Sequence, residues 1–549
     1  MAQQLSVELA QINLLVGDIS GNTRQILEQA RQAVAAGSDV IAFPELSLTG
    51  YPPEDLLLRD SMRLRVEAAL QEICAAALPV YIVVGHPLHE EGRLFNGLSV
   101  IHAGAVIAQY RKQALPNYEV FDEERYFTPG NSPCVVEMAG IPVALTICED
   151  LWHDLPMAQV AQSPARLLIN INASPYHHGK DVERLELVSA RARQLSMPVC
   201  YVNLVGGQDE LVFDGGSLVV DAGGQCRVRA GSFSVLRKRV QMEVAESGEL
   251  HLRDSDCAEA LSLEASCYQA LVTGLRDYID KNGFPGIVLG LSGGIDSAVT
   301  LAIAVDALGA DRVQAVMMPF DYTSELSLRL AETQARDLGV TYRVVPIGPA
   351  YHSFMEALQE EFEGSPVDVT EQNIQARCRG VMLMAISNKK GPLVLTTGNK
   401  SEIAVGYSTL YGDMAGGFNP LKDVYKTLVY RLAEYRNQQT VSAGEVPRIP
   451  EEVITRPPSA ELAPDQRDED SLPAYDRLDN ILALYIEQDL SAEAIIEQGH
   501  DRDEVFRVLR LVDRNEYKRR QGPVGVRLTR KGFGRDRRYP ITNGWTPGE

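Results

Sequence analysis

An apolar run at residues 287–291 passes directly into Ser292-Gly-Gly-Ile-Asp-Ser297, and helical spacing begins at Ala298. Strand, glycine turn, helix is the junction from which doubly wound parallel sheets are built. Gly293 and Gly294 carry no Cβ, so backbone N–H groups can close around an anion. The helix start adds the positive end of its dipole, and Ser292 and Ser297 add hydroxyls. A Walker A loop would place Lys where this chain has Asp296, a residue better matched to magnesium than to a phosphate oxygen. A bare Gly-Gly pair is usually only a turn, whereas the whole hexapeptide between strand and helix points to a phosphate. Short strands expected at residues 313–317, 342–347 and 393–396, with helices between them, extend the sheet.

The first half also alternates strands and helices. Strands are expected at residues 7–15, 40–43, 80–85, 99–101, 106–110, 143–147, 167–172 and 199–204, with a helix over 23–36. An acidic stretch at 243–256 interrupts the pattern, and a helix over 260–281 leads to the phosphate-loop strand. A chain of 549 residues exceeds one core. The expected domains are 1–255 and 256–549, the second containing a mobile loop near 438–470 that is rich in Pro, Ser and Glu. The formal charge of −22 opposes nucleic-acid binding, since basic residues cluster only at 518–520 and 530–538. Eight Cys occur without a CxxC pair, which argues against a zinc site or a disulfide framework. The N-terminus lacks a basic start followed by a long apolar run, so a cytoplasmic protein is expected.

Three strand ends carry reactive groups: Glu45 after residues 40–43, Lys112 after 106–110 and Cys148 after 143–147. Each has a plainer account, Cys148 as a packed core thiol above all. Together they supply what amide hydrolysis needs: a thiolate nucleophile, a carboxylate to move protons and a cation beside the oxyanion. In this order, within PELSLTGY, YRKQALPNYEVFDE and ICEDLW, they resemble the nitrilase superfamily of carbon–nitrogen hydrolases over roughly the first 250 residues. The resemblance implies an αββα sandwich in which Cys148 attacks, Glu45 is the general base and Lys112 stabilises the oxyanion. It also implies a glutamine pocket shaped by Tyr118, Ser174 and Lys180, which could otherwise be packing, a turn and a solvated cation. His177 and His178 look like loop residues, because adjacent side chains diverge.

SGGIDS itself resembles the pyrophosphate loop of the N-type ATP pyrophosphatases. A nitrilase-type glutaminase fused to that loop is similar to the glutamine-dependent NAD synthetase family across essentially the whole chain. The resemblance implies ATP-driven amidation of deamido-NAD through an adenylated nicotinate carboxylate, with ammonia drawn from glutamine. ATP would meet Gly290, Leu291, Ser292, Gly293, Gly294, Ile295, Asp296, Ser297 and Thr397, with Mg2+ near Asp296 and Glu402. Deamido-NAD would meet Asn373, Glu402 and Lys518. Plainer accounts make Ser401 the cap of the helix after residue 400, pair Arg377 with Glu371 or Asp368, and leave 518–520 an exposed basic tail. The resemblance further implies a homo-oligomer built on a synthetase-domain dimer, with the apolar helix over 298–308 serving either an interface or the core. The rival readings are an RNA-modifying ATP pyrophosphatase with a fused amidase, and a nucleotide-sensing scaffold with dead sites.

Overall fold

A computed structural model describes residues 3–246, 248–253, 255–444, 446–459, 461–463, 468 and 472–546. It divides into two units, Met1–Ala260 and Leu261–Glu549.

The first unit is a sandwich of two seven-stranded sheets. Between them, Val7, Leu9, Val83 and Val100 of one sheet pack with Leu145, Ile169, Ile171 and Val202 of the other. Ile26, Ala30, Val66 and Ala69 from helices Ile19–Ala35 and Asp60–Ala75 cover the outer face of the first sheet. Met157, Val188 and Ala192 from helices Asp154–Ala161 and Lys180–Leu195 cover the second. The layers are therefore αββα. The expected strands are present, with the first shifted to Gln4–Gln11. The acidic stretch that interrupts the pattern still contributes short edge strands, Leu250–Leu252 and Asp256–Cys257. Edge strands bury only part of one face, so polar residues do not exclude them.

The second unit centres on a four-stranded parallel sheet in the order Thr341–Val344, Val313–Met317, Ile287–Gly290, Leu393–Leu395. Chain order reverses at Ile287–Gly290, so its carboxyl end is the topological switch point at which such sheets bind ligands. The helix Ile295–Leu308 starts there and is core: Ala298, Leu301 and Ile303 are fully buried. It is thus not free to serve as a dimer interface. Residues 438–470 also depart from a plain loop. Helix Lys426–Ser442 runs into the stretch and Glu451–Thr455 is helical, whereas residues 445, 460, 464–467 and 469–470 lie outside the described residues. Asn437 fastens the return by exchanging two hydrogen bonds with the backbone of Ile449. Among the described residues no helix is long and apolar enough to cross a membrane.

The basic C-terminus is folded in only in part, since Arg520, Arg530, Arg535 and Arg538 stay exposed. Arg519 and Arg537 converge on Glu516, and Arg527 pairs with Asp536, all of them buried. A second anchor is Lys400, fully buried, whose Nζ lies 2.8 Å from Asp423 Oδ1 and donates to Thr529 Oγ1 at 2.7 Å. Asp423 also accepts from the backbone N–H groups of Leu528 and Thr529. Burial opposes its charge, but Lys400 and these donors hold the carboxyl below its usual range. Lys400→Met is therefore expected to leave a buried carboxylate without its cation and to destabilise the second unit by about 3–5 kcal/mol, measured by chemical unfolding. Residues beyond 520 should become the first proteolytic target in that variant.

Candidate active sites

In the first unit, Cys148 opens a 3-10 turn, Cys148–Trp152, directly after strand Ile141–Ile147 and has φ of +42°. That conformation is strained for a residue with a Cβ and needs to be held. Asp150, fully buried, holds it: Oδ2 accepts from the Ile147 N–H at 3.0 Å and from Tyr110 Oη at 2.8 Å. Its Oδ1 accepts from the N–H groups of Gln113 and Ala114 at 2.9 and 2.8 Å. One carboxylate thereby ties the cysteine turn to the backbone that carries Lys112.

Lys112 Nζ donates to Glu45 Oε1 at 2.7 Å and to both oxygens of Glu123, at 2.8 and 2.9 Å. Asn96 Nδ2 bridges the two carboxylates at 2.7 and 3.2 Å, and the Ala173 N–H donates to Glu45 Oε2 at 3.0 Å. Glu45, Lys112 and Glu123 are all buried. Burial opposes the Lys112 charge, yet Glu123 and Glu45 outweigh it and keep the ammonium protonated. The Glu123 carboxyl is pushed up to about 7 by burial, against the pull of Lys112. Burial and Glu45 raise the Cys148 thiol well above its usual range, with Lys112 offsetting part. Burial and Glu45 thus disfavour the Cys148 thiolate, and Lys112 is the neighbour that favours it.

Glu123 is the member that residue patterning did not single out. It lies in a 3-10 turn, Glu123–Arg125, not at a strand end, although it falls within the YRKQALPNYEVFDE segment. Tyr118 Oη donates to Glu149 at 2.9 Å and Lys180 Nζ lies 4.4 Å from the Trp152 ring centroid, so both flank the cysteine turn. Ser174 follows Ala173 and accepts from Arg184 Nε at 3.1 Å. Arg184 is buried, pairs with Asp214 and also binds the Ser174 and Pro175 carbonyls. Arg184 and Asp214 too were missed, because an Arg inside a helix reads as a solvated face.

In the second unit the glycine loop follows Ile287–Gly290, with Gly294 capping helix Ile295–Leu308. Gly293 has φ of +79°, and a Cβ there would stand 2.5 Å from the Ser327 carbonyl oxygen. Gly290, Leu291, Ser292, Gly294, Ile295, Asp296, Ser297, Thr397 and Glu402 line one cavity, whereas Gly293 packs against Ser327. The Ser292 and Ser297 hydroxyls are 3.1 Å apart and knit the loop internally. Asp296 Oδ2 and Glu402 Oε1 both accept from the buried Lys426 Nζ, at 2.5 and 3.0 Å. Burial pushes the Glu402 carboxyl up to about 7, despite Lys426. Two carboxylates that already share a cation are the groups here that could hold a magnesium ion, which takes one or two such ligands alongside phosphates.

Asn399, not Ser401, caps helix Lys400–Val405, accepting from the Glu402 N–H at 3.0 Å, while Ser401 Oγ donates to Asp479. Asn373 and Arg377 share a helix face as their spacing suggests. Asn373 Oδ1 accepts from Thr409 Oγ1, and Arg377 Nε donates to the Leu410 carbonyl rather than pairing with Glu371 or Asp368. Lys518 Nζ donates to the carbonyls of Gly406 and Ser408 at 2.8 and 2.9 Å. Asn373 and Lys518 thus brace the segment 406–410 from two sides, and of the three residues expected at deamido-NAD only Glu402 lines the cavity.

The NAD synthase family profile matches residues 267–522, and the carbon-nitrogen hydrolase profile matches residues 6–247. A glutamine-dependent NAD(+) synthetase from Acinetobacter baylyi is 49% identical over 99% of this chain and 99% of its own. Its counterpart from Aquifex aeolicus is 45% identical over 98% of this chain and 99% of its own. Among solved structures, the glutamine-dependent NAD+ synthetase from Acinetobacter baumannii in complex with ADP is 48% identical, covers 100% of both chains and superposes with a TM-score of 0.80. The one from Cytophaga hutchinsonii, at 23% identity over 98% of both chains and a TM-score of 0.82, shows the shared fold.

The electrostatics of the cysteine site carry a sign that can be measured. Removing the Glu45 charge takes away a group that raises the Cys148 pKa, and removing Lys112 takes away the one that lowers it. The pH midpoint of Cys148 alkylation by iodoacetamide, followed by peptide mass mapping, should therefore fall in Glu45→Gln and rise in Lys112→Met. Unchanged midpoints in both variants would show that neither charge acts on the thiol.

Proposed function

The chain belongs to the glutamine-dependent NAD(+) synthetases, and from that premise we propose that it amidates deamido-NAD to NAD, spending ATP and taking ammonia from glutamine. The supporting observation is the presence, in one chain, of the Cys148–Glu45–Lys112 centre and of the glycine-loop cavity holding Asp296, Glu402 and Lys426.

In the first unit, Cys148 Sγ attacks the glutamine side-chain carbonyl while Glu45 takes the thiol proton. Lys112 offsets the charge that develops on the carbonyl oxygen, and Glu45 returns the proton to the departing ammonia. Water then releases glutamate from the thioester. Tyr118, Ser174 and Lys180 surround the same turn and would hold glutamine, with Arg184 fixing the Ser174 backbone. Glu123 shares the Lys112 ammonium, which fixes where that charge stands.

In the second unit, the nicotinate carboxylate attacks the α-phosphorus of ATP, pyrophosphate departs, and ammonia displaces AMP from the mixed anhydride. Loop N–H groups from residues 292–297 and Lys426 receive the phosphates, and Thr397 lines the nucleotide cavity. Asp296 and Glu402 would hold magnesium, which when bound offsets charge on the pyrophosphate. Asn373 and Lys518 would act on the dinucleotide through the segment 406–410 that they brace. The substrates fit a cytoplasmic enzyme. An RNA-modifying role finds no support in the full-length relatives, and of the C-terminal cations it would use Arg519 and Arg537 are held in internal ion pairs.

Two variants should fail in different assays. Cys148→Ala should lose glutamine hydrolysis and glutamine-dependent NAD formation while retaining synthesis from ammonium salts. Asp296→Asn should lose synthesis with either nitrogen source by about a hundredfold or more, comparable to losing one charge-stabilising group, yet still hydrolyse glutamine. Equal loss of all activities in both variants would refute the division of labour.

A further inference from the structure

Among the described residues, five cationic side chains line the cavity beside the glycine loop, and four are held by other groups. Lys426 is shared by Asp296 and Glu402. Arg379 Nε donates to the Met318 carbonyl and Lys422 Nζ to that of Pro523. Arg519 is spent on the carbonyls of Ala404 and Val512 and on Glu516. The fifth is Arg456, which directly follows helix Glu451–Thr455. Its Nη1 donates to Ser327 Oγ at 2.9 Å, and its carboxylate neighbour, Glu461, is 4.0 Å away. Its Nη2 lies 3.8 Å from where a Cβ on Gly294 would stand. Ser327 is also the residue whose carbonyl packs on Gly293, so Arg456 is held against the wall of the loop itself. Glu461 Oε1 is occupied by the Ser324 and Ser327 hydroxyls, at 2.9 and 2.8 Å, which leaves the guanidinium its looser contact.

We propose that Arg456 is a further catalytic residue of the adenylation step, one that binds the pyrophosphate as it leaves. The inference rests on the function proposed above. In that step a carboxylate oxygen bonds to the α-phosphorus while the bond from phosphorus to the α,β-bridging oxygen breaks. The electron pair goes to the pyrophosphate, and no proton need move. The charge arriving on the leaving group exceeds what Lys426 can meet, because that ammonium is already shared by two carboxylates. A guanidinium presents two parallel N–H donors to phosphate oxygens, and Arg456 would exchange one hydroxyl bond and one loose ion contact for them. Its position beside Gly294 places it at the loop that cradles those phosphates, so its stabilisation grows as the bond breaks.

The test uses the full-length enzyme with ATP, deamido-NAD and ammonium chloride, reading AMP formation. Wild-type protein that forms no AMP would defeat the proposed function and this inference with it. With wild-type active, Arg456→Met should lower kcat by about a hundredfold or more, as for loss of one charge-stabilising donor, and Arg456→Lys should fall between. A second readout separates catalysis from packing: the rate ratio between β,γ-difluoromethylene-ATP and β,γ-methylene-ATP, whose bisphosphonate leaving groups differ in basicity. That ratio should widen severalfold in Arg456→Met, because a leaving group without its cation depends more on its own acidity. Should Arg456→Met fail to fold, Arg456→Lys carries the same readout. An unchanged ratio, or an unchanged kcat with only a raised KM for ATP, would overturn the proposal.

Discussion

A buried ammonium survives only when its counter-charges are buried with it, and this chain meets that requirement three times with the same device. Lys112 stands between Glu45 and Glu123, Lys400 between Asp423 and Glu487, and Lys426 between Asp296 and Glu402. All three lysines are at most 2% exposed. In each trio the partners come from separate segments, so one cation fixes the relative position of strand ends and loops that sequence alone leaves independent. Two of the trios stand at the candidate reaction centres, and the third fastens the C-terminal segment to the rest of its unit.

The two reactive trios differ in what they do to their surroundings. Beside Lys112, burial first and Glu45 second push the neighbouring Cys148 thiol up, with the ammonium pulling the other way. Beside Lys426, burial first and Asp296 in lesser part push the Glu402 carboxyl up, while the ammonium holds it down. A similar set of charges thus surrounds a thiol in one unit and a pair of carboxylates in the other.

Much of this was legible in the residues. Strand ends at Glu45, Lys112 and Cys148 could be read because apolar runs stop abruptly at reactive side chains, and the Ser292–Ser297 hexapeptide could be read because glycine geometry and helix dipole act locally. What stayed hidden depended on distant partners. Glu123 occupies a 3-10 turn with no periodicity to mark it, and Arg184 needed Asp214, far along the chain, before it could be buried. The basic C-terminus looked exposed because its neutralising acids, Glu516 and Asp536, are interspersed among the cations. Helical continuation into residues 438–442 was masked by composition, which registers mean polarity and not the anchoring of one face by Val429 and Leu432.

The closure of the second unit by its C-terminal segment also has a bearing on biosynthesis. The N–H groups of Leu528 and Thr529 complete the set around Asp423 that Lys400 begins, and Arg537 completes the set around Glu516 that Arg519 begins, so neither set is whole until residues 528–537 have left the ribosome. The first unit ends at Ala260, so its residues are all translated before the second unit emerges, an interval on the order of tens of seconds at ordinary elongation rates. The buried charge network of the second unit is thus complete only once residues 528–537 have been translated.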